Sequence, residues 1–312
     1  LNIATYNASN GEPMLYNIET GKTKAYSGIL PENYGNGISL QCIENGTPGS
    51  NMLYMGAFNT LQCAAYNIET GEMTNFDAVS AQTDSIVVYK DVLYTGNYNA
   101  GCITRINMED PARNQVLLTL GGEDYNQVRP HVLIAGDDKL FVGTTPYTHI
   151  YGGAFAMIDL VTLERTVVPN IVQDQSIHDL VYHDGLVFGV STVDGGSGTQ
   201  LRTDLSAKIF VYDVEKKEKL GEFDLRDYIS GIEENIQFIS GIDADPNIDE
   251  NGKIWGHFSE TLFSFTYDKD TGKLSVKEEL SFEKNKYTSG APRSFFRPIL
   301  FDGEGNLYVA FF

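Results

Sequence analysis

The sequence has few basic residues and no long apolar run. It contains 22 Lys and Arg against 42 Asp and Glu, so its formal net charge is −20. A nucleic-acid partner requires a cationic surface, and an anionic membrane repels a protein of this charge. No apolar stretch approaches the roughly 18–20 residues of a membrane-spanning helix. The composition therefore predicts no nucleic-acid partner and no membrane insertion.

Cysteine is scarce as well, and its count is odd. The three cysteines are Cys42, Cys63 and Cys102, which argues against a full disulfide framework. In the strand assignment given below, Cys42 lies on the first strand of a sheet and Cys63 on the third. Two strand spacings of about 4.8 Å exceed the roughly 7 Å between Cα atoms that a disulfide spans. We therefore predict three small, buried, unpaired cysteines.

Glycine and aromatic residues are abundant, and they recur in one pattern. The chain has 31 Gly, 18 Tyr and 17 Phe, a composition that suits many short strands joined by tight turns. A hydrophobic segment with an aromatic residue, ending in Gly in the strong copies, repeats at intervals of about 40–70 residues, near the length of one four-stranded propeller blade. Its copies are Leu53–Gly56, Leu93–Gly96, Leu140–Gly143, Leu186–Gly189, and the weaker Ile254–Gly256 and Leu307–Ala310.

The neighbours of this segment recur with it. An apolar strand precedes each copy, and a third strand, a turn of Asn or Asp followed by Gly, and a fourth strand come after it. We count six copies each of the first, third and fourth strands, but seven of the second strand, because residues 1–6 also match the second-strand pattern. The sequence predicts an all-β fold: a β-propeller of four-stranded antiparallel blades, with six blades favoured and seven possible. The closing blade would be shared between the N- and C-termini, and one domain would span residues 1–312. Helix signals are confined to residues 224–232.

Two stretches of the repeat carry a family resemblance. Residues 129–144 with 152–159, and residues 176–189 with 208–213, resemble bacterial surface propellers of the YVTN and PQQ-like (WD40-like) repeat superfamily. Similar propellers occur in secreted proteins that handle polysaccharides, including some lyases. The resemblance, together with a chain that begins at Leu1 rather than Met, implies an extracellular or cell-surface location. Trp255 is the only tryptophan, so the tryptophan-docking repeat of quinoproteins is missing, and we predict no cofactor.

The candidate site lies on the face that carries the long loops, at residues 144–153 and 191–206. Long loops on a rigid scaffold are where binding sites concentrate. Alignment of the repeats places His131 and His178 at equivalent positions near the start of two first strands, with Asp84 near the same level. An Arg there can clamp a carboxylate, and a His or Tyr can abstract the proton next to it. Candidate catalytic residues are His131, His178, Arg297, Arg129 and Tyr147. Candidate ligand-binding residues are His149, Tyr151, Arg202, Gln237, Tyr98 and Asn99.

Two other patterns are weaker. Residues 243–252 place oxygen ligands at every second position, as a calcium loop does, but Ile248 occupies the position that requires Gly. We therefore predict no metal site. The Gly-rich stretches at 152–153 and 195–198 are interpreted as flexible loop elements rather than nucleotide sites.

Three functions stay open from the residues alone. The first is a secreted or surface-displayed propeller that binds a ligand, with a carbohydrate favoured, on the long-loop face. The second is a polysaccharide lyase that acts on a uronate polymer by His or Tyr proton abstraction with Arg neutralising the carboxylate. The third is a protein-interaction scaffold, which would have a protein partner in place of a small ligand.

Overall fold

The structure, a computed structural model, describes most of the chain. The described residues are 2–6, 13–17, 20–25, 40–46, 50–58, 60–80, 82–245, 252–281, 299–301 and 305–309. Their regular secondary structure is almost entirely β-strand, and the helical segments among them are two 3₁₀ turns, Pro111–Arg113 and Leu225–Asp227. The chain divides into two compact units, Leu1–Ala135 and Gly136–Phe312. The single-domain interpretation stays a prediction.

The first unit begins with a three-stranded sheet and continues with four-stranded ones. The three-stranded sheet is β1-β2-β3, and the next two sheets have the orders β4-β5-β6-β7 and β8-β9-β10-β11. Their strands are β1 (Asn2–Tyr6), β2 (Pro13–Asn17), β3 (Lys22–Ala25), β4 (Leu40–Asn45), β5 (Met52–Ala57), β6 (Gln62–Asn67), β7 (Met73–Asp77), β8 (Gln82–Tyr89), β9 (Val92–Tyr98), β10 (Cys102–Ile106) and β11 (Gln115–Thr119).

The boundary between the units falls in β12, the first strand of the next sheet. Three further four-stranded sheets, β12 to β15, β16 to β19 and β20 to β23, each run in chain order, and a two-stranded sheet, β24-β25, ends the chain. The strands are β12 (Gln127–Gly136), β13 (Lys139–Pro146), β14 (Phe155–Asp159), β15 (Arg165–Val168), β16 (Ser176–His183), β17 (Leu186–Thr192), β18 (Lys208–Asp213), β19 (Glu218–Asp224), β20 (Gly241–Ala244), β21 (Ile254–Phe258), β22 (Thr261–Asp268), β23 (Lys273–Ser281), β24 (Ile299–Phe301) and β25 (Leu307–Val309).

These sheets confirm the predicted all-β propeller fold of four-stranded antiparallel blades. Each Gly-ending repeat segment lies on the second strand of a sheet. Among the described residues, five sheets have four strands, the sheet near the N-terminus has three and the sheet near the C-terminus has two. The shared closing blade itself stays a prediction. The predicted helix over 224–232 is shorter in the structure, where only Leu225–Asp227 is helical.

The turn between the third and fourth strands has the same chemistry in both units. The Asn67 side chain accepts hydrogen bonds from the backbone N–H groups of Glu69 and Thr70, both at 3.0 Å, and Gly71 follows with φ of +75°. In the second unit Asp268 accepts from Asp270 and Thr271 in the same way. The Asx side chain thus replaces missing backbone partners, and Gly supplies the left-handed conformation.

In two sheets of the second unit, the glycine that ends the second-strand segment makes room for a neighbouring aromatic ring. Gly189 pairs with Phe210, and Gly256 pairs with Phe263, on the adjacent third strand. A Cβ atom at either glycine would overlap the paired ring. Both rings are fully buried, so this ring-over-glycine contact is part of the core of each sheet.

Consecutive first strands of the second unit are linked by hydrogen bonds. The Asp179 carboxylate on β16 accepts a hydrogen bond at 3.0 Å from the backbone N–H of Ile242 on β20. The Asp243 carboxylate on β20 accepts one at 2.9 Å from Phe301 on β24. Such bonds hold neighbouring sheets at a fixed spacing.

The cysteine prediction is confirmed. Cys42 lies on β4, Cys63 on β6 and Cys102 on β10, and all three are free and buried. Burial raises the pKa of the Cys63 thiol to about 12, so this thiol stays protonated and unreactive.

Candidate functional site

Two long loops of the second unit pack against each other. They join the second and third strands of neighbouring sheets, at residues 147–154 and 193–207, and we call them the loop pair. The backbone N–H of His149 donates to the carbonyl of Ser197 at 3.0 Å, and that of Gly196 donates to Ile150 at 2.8 Å. The Tyr151 hydroxyl donates to the carbonyl of Gln200 at 2.5 Å. The loop pair is therefore one connected structure.

The glycines of the loop pair are sites of close contact, which corrects their interpretation as flexible elements. A Cβ at Gly196 would overlap the carbonyl of Tyr147, and one at Gly198 would overlap the His149 ring. Gly153 similarly faces the carbonyl of Thr144. Sequence reasoning missed this role because close approach is decided by the partner loop, about 45–50 residues away.

The loop pair presents apolar side chains to solvent. Tyr147 is 50% exposed, Ile150 36% and Leu201 38%. Exposed apolar groups on ordered backbone are typical of surfaces that bind a partner. Tyr147, a predicted catalytic residue, is thus available for contact, and His149 is held by a 3.1 Å hydrogen bond between its Nδ1 and the Gly198 carbonyl.

Arg202, a predicted ligand-binding residue, is already engaged by acids. Its Nε and a terminal nitrogen contact the two carboxylate oxygens of Asp204, each at 2.8 Å. Its other terminal nitrogen contacts Asp174 at 3.3 Å, and the guanidinium lies 5.6 Å from the Tyr151 ring centroid. The guanidinium therefore joins the loop pair to Asp174, two residues before β16.

A polar groove of about 500 Å³ lies beside the loop pair. We call it the acidic groove. The Asn235 amide donates to the carbonyl of Thr203 at 2.8 Å. This bond connects the segment between β19 and β20 to the loop 193–207, and both border the groove. The residues that line the groove are Thr203, Arg226, Glu233, Glu234, Asn235 and Gln237.

Arg226, the cation of the groove, is neutralised by Asp224. The guanidinium contacts both Asp224 carboxylate oxygens, at 3.0 and 2.7 Å, and Lys208 contacts the same carboxylate at 3.1 Å. Burial alone would raise the pKa of Asp224, but these hydrogen bonds outweigh it and lower the pKa to about 2. Asp224 is also the N-cap of the 3₁₀ turn that follows it, because its side chain accepts a hydrogen bond from the Arg226 backbone N–H.

Gln237, a predicted ligand-binding residue, lines the acidic groove. Its backbone carbonyl accepts from the Val193 N–H at 3.0 Å and from the Thr192 hydroxyl at 3.2 Å. The residue is exposed. The backbone is thus fixed, while the side chain faces the groove.

A bulge recurs near the start of the first strands. The register shifts between Leu40 and Cys42, between Thr83 and Ser85, and between Ile177 and Asp179. Bulges re-aim the inserted side chain. The residues inserted by these shifts are the buried polar Gln41, Asp84 and His178.

His178, a predicted catalytic base, is buried in the second unit. It is 8% exposed, and its ring centroid lies 4.3 Å from that of Phe238. Desolvation lowers its pKa to about 4, opposed by a hydrogen bond with the Ser240 backbone. The imidazole is therefore neutral at pH 7. His131 is half-buried on β12 in the first unit, so the predicted convergence of the two histidines stays a prediction.

Arg129, the predicted carboxylate clamp, contacts an acid and an aromatic ring of the first unit. Its Nε lies 3.4 Å from the Asp84 carboxylate, and its guanidinium lies 4.4 Å from the centroid of Tyr98. Desolvation raises the pKa of Asp84 to about 6, although Arg129 and a hydrogen bond from Gln82 oppose that shift. Tyr98, a predicted ligand-binding residue, thus supports Arg129.

The remaining predicted residues are placed as follows. Asn99 is exposed in the turn after β9 and has φ of +68°, so it serves the turn geometry. Arg297 lies outside the described residues, as do residues 246–251 of the calcium-like segment. Within the part of the chain that the structure describes, no cluster of His, Cys, Asp or Glu is arranged to hold a metal ion. None of the helical segments in that part could cross a bilayer.

Comparison with known proteins identifies the fold and not the family. No protein-family model matches the chain, and no curated protein matches it in sequence. Solved structures do. A chain of the mitotic checkpoint complex matches all of this chain over 87% of its own length, at 11% identity and a TM-score of 0.66.

Two further solved structures are similar to the same extent. The WD40 repeats of RRP9 match 98% of this chain over 82% of theirs, at 12% identity and a TM-score of 0.67. U3-55K matches 98% of this chain over 83% of its own length, at 12% identity and a TM-score of 0.65. The chain therefore has the fold of a WD40-like β-propeller.

Proposed function

We propose that this protein is an interaction scaffold that binds a segment of another protein on its loop pair. The observation that carries the proposal is a rigid loop structure that exposes Tyr147, Ile150 and Leu201. An ordered surface loses little conformational entropy on binding, and its apolar side chains gain from leaving water. A WD40-like fold supports this assignment, because one of the similar structures is a chain of a multi-protein complex.

The test is selection of binders from a random peptide display library. Peptides selected on the wild-type protein are measured against Tyr147→Ser and Leu201→Ser by fluorescence anisotropy. The matched control is Val161→Ser, because Val161 is a 76% exposed apolar residue in the turn between β14 and β15, outside the loop pair. We expect the loop variants to weaken binding about tenfold, as for central interface residues, and the control to leave it unchanged. Equal binding to all variants would reject the loop pair as the docking surface.

Carbohydrate binding is a second candidate, favoured by the exposed ring of Tyr147. An aromatic ring can stack on the apolar face of a sugar, and the neighbouring loop amides can donate hydrogen bonds. A glycan array tests this candidate directly. Signals lost in Tyr147→Ser would favour a sugar ligand over a protein segment, whereas a blank array beside peptide binding would favour the scaffold.

The lyase hypothesis has less support. Its carboxylate clamp requires an available guanidinium, while Arg129 and Arg202 already contact carboxylates of this chain. An extracellular or cell-surface location stays part of the proposal for the carbohydrate-binding form. Fractionation of the source cells, with detection of this chain in the medium or on the surface, tests that part.

A further inference from the structure

The loops around the candidate site carry an excess of negative charge. Residues 144–153, 169–175, 192–207 and 224–240 of the second unit contain seven acidic residues and two arginines. The acids are Asp174, Asp194, Asp204, Asp224, Asp227, Glu233 and Glu234. A surface of one sign attracts ligands of the other and disfavours like-charged ones.

Both arginines are neutralised within the protein. Arg202 pairs with Asp204 and Asp174, and Arg226 forms a two-point contact with Asp224. Lys208, directly after the loop 193–207, contacts the same Asp224 carboxylate at 3.1 Å. With Lys208 included, seven acids stand against three cations. The remaining charge of these loops is negative.

Glu233 and Glu234 form the free acidic edge of the groove. Both are exposed, and within the described residues neither forms an ion pair. The neighbouring Asn235 is fixed by Thr203, and the Gln237 backbone is fixed by Val193. The two carboxylates thus stand on an anchored segment beside a groove of about 500 Å³, which has room for a lysine or arginine side chain.

The groove is continuous with the loop pair. Leu201 is exposed on the loop pair, and Thr203, two residues later, lines the groove. A segment that covers Leu201 and Tyr147 can therefore extend one side chain into the groove. The apolar part supplies contact area, and the acidic part discriminates between ligands by charge.

We infer that the protein segment bound by the loop pair is cationic and places a lysine or arginine side chain between Glu233 and Glu234. This inference rests on the proposed scaffold function and adds the chemistry of the partner. The bound ammonium or guanidinium group would donate hydrogen bonds to the two glutamate carboxylates and to the amide oxygen of the Gln237 side chain.

The experiment uses peptides selected on the wild-type protein from the random library. We expect enrichment of Lys and Arg, affinity that falls with added NaCl, and about tenfold weaker binding to the double variant Glu233→Gln and Glu234→Gln. The matched control is Glu164→Gln with Glu215→Gln, two exposed acids in turns between third and fourth strands. A second control is the same peptide with every Lys acetylated. It should bind the wild-type protein about as weakly as the unmodified peptide binds the double variant.

The outcomes separate this inference from the function on which it rests. Peptides that require Tyr147 and Leu201 but bind the glutamine double variant unchanged would overturn the cationic partner and leave the scaffold function standing. Peptides without Lys or Arg enrichment would overturn it in the same way. Cationic peptides that require the glutamates but ignore the loop variants would support the charge preference and reject the loop pair. Folding of each variant is checked by its thermal unfolding midpoint.

Discussion

Single buried residues give this protein opposing responses to pH. His178 and His257 are 8% and 2% exposed, and desolvation lowers the pKa of each to about 4 from 6.5. Because the folded state holds these groups neutral, their contribution to stability is present above pH 6.5 and is lost as the pH falls toward 4. Asp84 has the opposite sign, since its pKa is raised to about 6 from 3.8. The free-energy cost of holding the ionised Asp84 carboxylate in the folded state grows as the pH rises from about 4 to 6, and it disappears in acid.

Replacing a buried histidine should flatten the acid response. We expect the unfolding free energy of the wild type to fall between pH 6.5 and 4, with His178 contributing up to about 3 kcal/mol. His178→Gln removes that titration, so its stability should change less over this range even if its stability at pH 7 is lower. Urea unfolding at several pH values measures the difference. The exposed His149→Gln serves as control, and an identical pH slope in wild type and His178→Gln would contradict the assignment.

At the scale of strands and turns, the recurring glycine is the element most sensitive to change. Phe210 lies over Gly189, its partner on the adjacent strand, and leaves no room for a Cβ. Packing of this kind fixes which residues of the two strands stand opposite each other. At Gly56 and Gly96 other side chains, among them Cys42 and Ser85, fill the corresponding space, so each of these glycines repeats where a Cβ has no room.

Gly189→Ala should destabilise the protein by about 1–3 kcal/mol, the usual cost of overpacking a core. The double variant Gly189→Ala with Phe210→Leu replaces the ring with a smaller side chain. It should recover part of that loss, because the added methyl group then has space. Denaturant unfolding of both single variants and the double variant gives the coupling. Strictly additive effects would show that the ring and the glycine do not interact. Gly122→Ala is the control, since a Cβ there would meet nothing within 4 Å.

The whole molecule carries a charge of −20, and this charge opposes its folding. Like charges brought together in a compact state repel each other, and salt screens the repulsion within a Debye length of about 8–10 Å. The exposed ion pairs contribute little to oppose it, as expected for surface pairs. The acidic character is therefore a property of the surface rather than of the fold.

Added NaCl should raise the thermal unfolding midpoint by several degrees, because screening relieves this repulsion. Calorimetry at low and high NaCl concentrations measures the change. The triple variant Glu109→Gln, Glu123→Gln and Glu215→Gln, at exposed positions, should be less salt-dependent. A midpoint that falls on addition of NaCl would mean that ion pairs outweigh the repulsion.

The amino-acid sequence by itself determined the order of strands, the turns and the buried cysteines. Strands depend on the pattern of apolar and polar residues along one segment, and turns depend on two to five neighbouring residues. Asn67 with Gly71 specifies its turn wherever that turn lies. Only the tertiary structure decided which loops meet and which charges are neutralised. Gly196 faces Tyr147, and Arg202 contacts Asp174, because strands far apart in the chain hold their loops side by side. A contact of that kind depends on distance in space, which local sequence patterns do not encode.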